Sequence, residues 1–419
     1  MNIKAASKRM LGVAMICSFG LIAGCNSIEV PSFQLPSLSG VFGSSSGIDT
    51  VPPTSEPQMA STPLPDGGST LGKGKVKIAL ILPLSGSGQA GAAANMIKNA
   101  AELALSEFQN PNIQLLIKDD RGSVQGARTA AQEALSEGAE LILGPLFASS
   151  VSSAGALAKV ANVPVVAFST DSSVASSGIY LLSFMVEDEV ERLVRYASNQ
   201  NRKTYAALIP DTPYGQLVEA KFQQEVAKNG GRVVILERYS SDSALPAVMA
   251  KIAQFTSGAN PQADALFIPE KSDRLASVAA ALTRANINTA KVKVMGTGVW
   301  NEASVFSLPA LAGSWFVGPE RAGFQAFSVR YNKRFGANPA RIATIGYDAV
   351  SLAAALVRTQ GERRFSAATL TNSAGFSGID GVFRFQSDGT NDRALAIYEI
   401  KSGASNIISP APRSLTSGM

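Results

Sequence analysis

The sequence predicts an α/β fold of two lobes, each a mainly parallel sheet flanked by helices, with a cleft between them. Three observations carry this. From Lys75 onward, short apolar runs alternate with amphipathic helical stretches. The apolar runs are continuous rather than alternating, as in strands buried on both faces. Residues 75–410 are also too many for one hydrophobic core, since single cores stop growing at about 250–300 residues. The segment opens twice in the same way. Ala79-Leu80-Ile81-Leu82-Pro83 and Ala206-Ala207-Leu208-Ile209-Pro210 each lead into a polar turn and a helix, which suggests two copies of one architecture.

In the first series, strands at 76–82, 113–118, 140–143 and 163–168 alternate with helices at 89–108, 124–137 and 149–161. The second series opens with a helix at 187–198. Strands at 204–209, 232–236, 263–268 and 291–295 then alternate with helices at 215–228, near 246–255, and at 273–285. Helices at 323–335 and 342–359 come next, and strands at 381–385 and 394–400 are expected to form a closing hairpin.

The chain begins differently. Lys4, Lys8 and Arg9 precede an apolar stretch from Met10 to Leu21, and Ala23-Gly24 lead to Cys25. A basic start, a short apolar middle and small residues before a cut make a secretory signal peptide over residues 1–24. The apolar stretch is shorter than the roughly 20 residues needed to span a bilayer. A cysteine just after the small residues can take a lipid, so Cys25 is expected to begin the mature chain as an acylated anchor. Multiple acyl chains hold a protein at a membrane where one alone is marginal. Residues 26–74 are rich in Ser, Pro and Gly without helical or strand period, and read as a disordered tether. Its root-mean-square span is roughly 35–42 Å. Residues 411–419 read as a flexible tail.

Composition excludes several classes. The chain has no histidine, and of its two cysteines Cys17 lies in the leader and Cys25 is expected to be acylated. Cys/His metal sites, Ser-His and Cys-His catalysis and a structural disulfide are therefore excluded, and an enzyme is disfavoured. No metal and no cofactor is expected. The net charge is +5, three units of which lie in the leader. No basic stripe with interleaved aromatics is present, so nucleic acid is not an expected partner.

In open parallel sheets a ligand lies beyond the carboxyl ends of the strands. Those ends are rich in small polar residues here. The candidates are Ser85 after the first strand, Ser149 and Ser150 after the third, and Ser169 and Thr170 after the fourth. In the second series they are Tyr214, Glu270 and Thr297. Hydroxyls, backbone N–H groups and helix N-termini along one rim suit a small polar ligand. Ser149 and Asp211 also fit as helix caps. Gly86-Ser87-Gly88 is followed by no Gly-Lys-Ser/Thr, so it is not a phosphate loop, and Asp119-Asp120 reads as a capping pair rather than a metal site.

Several motifs occur in a specific order: Asp119-Asp120 with Gly122, Gly144-Pro145, Val163-Pro164, and Asp211 with Tyr214-Gly215. Together they resemble type I periplasmic binding proteins of the leucine/isoleucine/valine-binding class, over nearly all of residues 75–410. The resemblance implies a two-lobed fold with three crossovers, placed near Val186, Pro319 and Ser373. Lobe 1 is then 75–186 plus 320–373, and lobe 2 is 187–319 plus 374–410. The class usually has a serine where Ala148 stands, and a glutamate after the strand matching 292–295, where this chain has Gly296-Thr297-Gly298-Val299. A buried ammonium without a counter-charge is costly. Glu270 or Asp211 would have to substitute.

The runs Gly144-Pro145-Leu146-Phe147 and Val163-Pro164-Val165-Val166-Ala167-Phe168 look like the binding domain of penicillin-binding-protein activator lipoproteins. That resemblance implies a non-enzymatic regulator of peptidoglycan synthesis, anchored in the outer membrane and partnered with a penicillin-binding protein. Asn26 after Cys25 fits outer-membrane sorting. The other expectation is a substrate-binding lipoprotein that serves an ABC permease and takes amino acids or similar small polar solutes.

Overall fold

The computed structural model describes residues 69–415. The expected signal peptide, Cys25 and residues 26–68 of the expected tether lie outside the described residues.

Lobe 1 is built from β1 (Thr70–Leu71), β2 (Val76–Leu82), α1 (Gly88–Glu107), β3 (Ile113–Asp119), α2 (Val124–Ser136), β4 (Leu141–Leu143), α3 (Ala148–Val160), β5 (Val165–Ala167) and β6 (Ile179–Leu181). Its sheet runs in the order β1-β3-β2-β4-β5-β6, all parallel except β1. The expected tether therefore ends earlier than residue 74, because Thr70 and Leu71 already pair with Leu116 and Leu115. Successive side chains of a strand point to opposite faces. Ile78, Leu80 and Leu82 pack on one side with Ile97 and Ala101 of α1. Ala79 and Ile81 pack on the other with Ala130 of α2 and Val151 of α3. Both faces are buried, which explains why β2 reads as an unbroken apolar run.

Lobe 2 comprises α4 (Val186–Asn199), β7 (Thr204–Pro210), α5 (Pro213–Lys228), β8 (Arg232–Tyr239), α6 (Leu245–Thr256), β9 (Ala265–Phe267), α7 (Leu275–Arg284), β10 (Lys293–Gly296), α8 (Ala303–Phe306) and β11 (Trp315–Gly318). Here Ala206 and Leu208 face Met249 and Leu275, while Tyr205, Ala207 and Ile209 face Val190 and Phe222. The pseudo-repeat seen in the sequence is thus the same buried strand used twice. The chain then returns to lobe 1 as α9 (Arg321–Phe335), α10 (Ala343–Thr359) and α11 (Ala367–Leu370). Helix α10 packs closely on α1; a Cβ at Gly346 would stand 2.3 Å from the Ile97 carbonyl oxygen.

The end of the chain departs from expectation. Strands β12 (Phe376–Gly378), β13 (Gly381–Phe385) and β14 (Asn391–Arg393) form their own antiparallel sheet. Phe383 and Phe385 sit in the lobe 1 core with Leu82 and Tyr180. Strand β15 (Ala396–Lys401) pairs antiparallel with β11 and with β16 (Ala404–Ser409), completing the lobe 2 order β16-β15-β11-β10-β9-β7-β8. The expected hairpin between 381–385 and 394–400 does not form. Both runs are rich in apolar residues, and that texture does not reveal that they belong to different lobes. The third crossover consequently lies between Arg393 and Ala396, about twenty residues beyond Ser373, and 374–393 belongs with lobe 1.

The crossovers are tied together. Asn391 and Arg393 both donate to the Ser183 carbonyl, at 3.0 and 2.8 Å. Tyr398 Oη donates to Pro319 O at 2.9 Å. The stretch expected to be a flexible tail is packed over this region as far as Leu415. Ala411 N donates to Glu320, Arg384 donates to the Leu415 carbonyl at 2.8 Å, and Leu415 is 2% exposed.

Candidate functional site

The carboxyl ends of the lobe 1 strands carry loops fixed by their own acids. Asp119 accepts from Ser85 N and Arg121 N, and Asp120 accepts from Gly122 N at 2.8 Å. Asp120 is fully buried, and burial pushes its carboxyl up to about 6 against the pull of the Gly122 N–H and the Ser150 hydroxyl. The pair therefore anchors loops, as the capping reading expects. Ser85 and Ser149 are exposed on the rim, and Thr170 is half-buried there. Ser150 and Ser169 are fully buried beneath it. Ser169 Oγ accepts from Asp171 N, which shapes the turn after β5.

The lobe 2 edge is more tightly organised. Thr212 caps α5 by accepting from Gly215 N, and Pro213 occupies the first turn. This places Tyr214 against the loop after β10, where its phenol and the Thr297 hydroxyl lie 2.8 Å apart. Thr297 is fully buried. Burial, with Glu189 and then Glu270 nearby, raises the Tyr214 phenol well above its ordinary value, so it stays protonated. Glu270 is 2% exposed and already engaged: Tyr239 Oη donates to one oxygen and Lys271 N to the other. Arg274 stacks over the Tyr239 ring at 5.3 Å.

Sequence reasoning missed Glu189. It stands in the first turn of α4, directly after the first crossover, and its Oε2 accepts from Gly298 N at 2.9 Å. Burial pushes its carboxyl up to about 7; the Gly298 N–H opposes that and Glu187 adds to it. The signal available in the sequence was three consecutive acids, Glu187-Asp188-Glu189, at a helix start, which ordinarily only complements the helix dipole. Of the candidates, Tyr214 and Thr297 are brought into direct contact, with Glu189 beside them. Asp211 is exposed. Among the described residues, no group of three or more His, Cys, Asp or Glu could hold a metal ion.

Two parallel sheets joined by three crossovers, with polar loops at their carboxyl ends, define a two-lobed binding protein. The family profile described as "Periplasmic binding protein" matches residues 75–405. The chain belongs to that family. Among solved structures it is similar to a putative branched-chain amino acid ABC transporter protein from Rhodospirillum rubrum. That likeness has a TM-score of 0.69 at 19% identity and covers 80% of this chain and 99% of that one. It is also similar to a Desulfitobacterium hafniense ABC transporter substrate-binding protein in complex with Leu (TM-score 0.58, 17% identity, 80% and 99% covered). A third is the solute-binding protein of an ABC transporter from R. palustris in complex with benzoate (TM-score 0.55, 18% identity, 83% and 100% covered). At these identities the likeness shows the fold. No curated protein matches the chain.

Proposed function

We propose that the chain is a cell-envelope solute receptor. It takes a small polar ligand between its lobes and presents it to an ABC permease, held near the membrane by acylated Cys25. One observation carries this reading: at the lobe 2 edge Tyr214 and Thr297 are joined at 2.8 Å, beside the Glu189 carboxylate. Ser85, Ser149 and Thr170 provide hydroxyls on the lobe 1 rim, from the same ends of the strands. Structural neighbours of the chain are ABC transporter proteins, two of them holding leucine or benzoate. The family supports a position outside the cytoplasm, and no helix among the described residues is long and apolar enough to cross a membrane.

A second reading is a regulator of peptidoglycan synthesis that contacts a penicillin-binding protein from the outer membrane. The runs at 144–147 and 163–168, and Asn26 after the anchor, favour it. Cross-linking the tagged protein in its native envelope and identifying what is captured separates the two. Capture of a permease supports the receptor; capture of a bifunctional penicillin-binding protein, with altered glycan polymerisation, overturns it in favour of the regulator.

A further inference from the structure

We infer that residues 411–415 form a strap between the lobes, outside the three crossovers, that holds the lobes at one angle and must release before they swing. The inference goes beyond the solute-binding reading and does not depend on it.

The strap starts on lobe 2 and ends on lobe 1. It follows β16, whose last residue is held by Arg192 of α4. Arg192 Nη2 donates to Ser409 Oγ at 2.7 Å, and its Nε donates to Leu395 O at 2.9 Å. Ala411 N then donates to Glu320, at the second crossover, at 2.9 Å. The far end is gripped by Arg384 of β13, which belongs with lobe 1. Arg384 Nη1 donates to Leu415 O at 2.8 Å, while its Nε donates to Asp392 at 2.7 Å and keeps the guanidinium in place. Pro412 and Leu415 line a small cavity with Asp188, Arg393 and Leu395, so the strap lies over the third crossover as well.

The segment is fastened at its ends and bare in its middle. Leu415 is 2% exposed and Ala411 is half-buried, whereas Arg413 and Ser414 are exposed. Burying a leucine at one end gives that end a seat, since apolar surface leaves water there. Pro410 and Pro412 each fix a backbone φ. Five residues reach at most roughly 16–18 Å, so the strap has little slack.

These ties matter because of how the lobes are joined. Domains linked by short connections turn relative to one another unless a large interface prevents it. A change of angle moves Arg384 of lobe 1 relative to Arg192 of lobe 2. One end of the strap then has to let go. Strand β16 is paired along its length with β15, so the Leu415 end is the one that releases.

The competing reading is that residues 411–415 simply complete the fold of lobe 1. Spin-label distance measurements on the full-length chain separate the two. Cys17→Ser and Cys25→Ser remove both native thiols. Thr129→Cys in α2 and Ala220→Cys in α5, both exposed positions, carry labels on different lobes. A control pair, Ser106→Cys with Thr129→Cys, lies within lobe 1. The interlobe distance distribution is expected to broaden about twofold when Leu415→Asp is added, or when residues 411–419 are removed. Leu415→Met keeps the apolar volume and is expected to keep the parent width. The control pair is expected to stay unchanged in every variant. An interlobe width equal to the parent's in both Leu415→Asp and the shortened chain overturns the inference. Equal broadening of the control pair overturns it too, because residues 411–415 would then complete lobe 1 rather than bridge the lobes.

Discussion

Replacing Arg393 with methionine is expected to lower folding stability by about 1–3 kcal/mol at pH 8, since it removes the bond to the Ser183 carbonyl and leaves nearby buried carboxyls without a cation. Arg393 is 5% exposed at the third crossover, where it donates to the Ser183 carbonyl and lies over the rings of Phe184 and Phe383 at 4.5 and 5.3 Å. Its charge is set against Asp348, Asp380 and Asp188. Methionine can fill much of the volume, but it leaves those carboxyls in a dry environment without a cation. Asp380 keeps Arg341 and Thr344 as partners. Asp348 has only the Ile379 N–H at 2.8 Å.

The effect should depend on pH in a definite direction. Burial pushes Asp348 up to about 7 even with Arg393 present. A carboxyl with a raised folded pKa favours the fold while protonated, and that contribution is lost as pH rises from about 4 through 7. At pH 5 Asp348 holds its proton and needs no counter-charge, so the loss in Arg393→Met should be smaller there than at pH 8. Adding Asp348→Asn should recover part of it. Urea unfolding at the two pH values measures all three quantities. A loss under about 1 kcal/mol at pH 8, or an equal loss at both pH values, contradicts this account of the third crossover.

Gly215→Ala is expected to destabilise the protein by about 2–3 kcal/mol and to disable the cleft. Helix α5 starts so close to the end of β7 that a Cβ at Gly215 would stand 1.8 Å from the Pro210 carbonyl oxygen. The obstacle is backbone, so no rotamer change relieves it, and overpacking of this kind costs roughly 1–3 kcal/mol or more. Relief requires the first turn of α5 to lift. That turn carries the Thr212 cap and Tyr214, so the 2.8 Å contact between Tyr214 and Thr297 should be lost with it. Hydrogen exchange should report faster opening at 213–218, alongside a lower urea midpoint. Unchanged exchange there would mean that the rim does not depend on this close approach.

The lobes were legible because a strand buried on both faces must be apolar throughout, and 76–82 and 204–210 have that texture. The small polar residues at strand ends were legible too, since a parallel sheet brings those ends to one edge. Burial of a hydroxyl was not: Ser149 and Ser150 are neighbours in sequence, yet one is exposed and the other fully buried. Strands 381–385 and 396–401 were recognisable as strands, but their partners depend on tertiary packing that local alternation does not encode. Glu189 was hidden for the same reason. Its importance comes from a glycine 109 residues away.

Thermal unfolding of the protein against a panel of small polar solutes tests the central claim most directly. A ligand that binds the native form and not the unfolded chain raises the melting temperature by mass action, by an amount that grows with its concentration. The account predicts such a dose-dependent rise for at least one small polar solute, greatly reduced in Tyr214→Phe, which removes the hydroxyl paired with Thr297. A flat response across amino acids, amides and small peptides would contradict it.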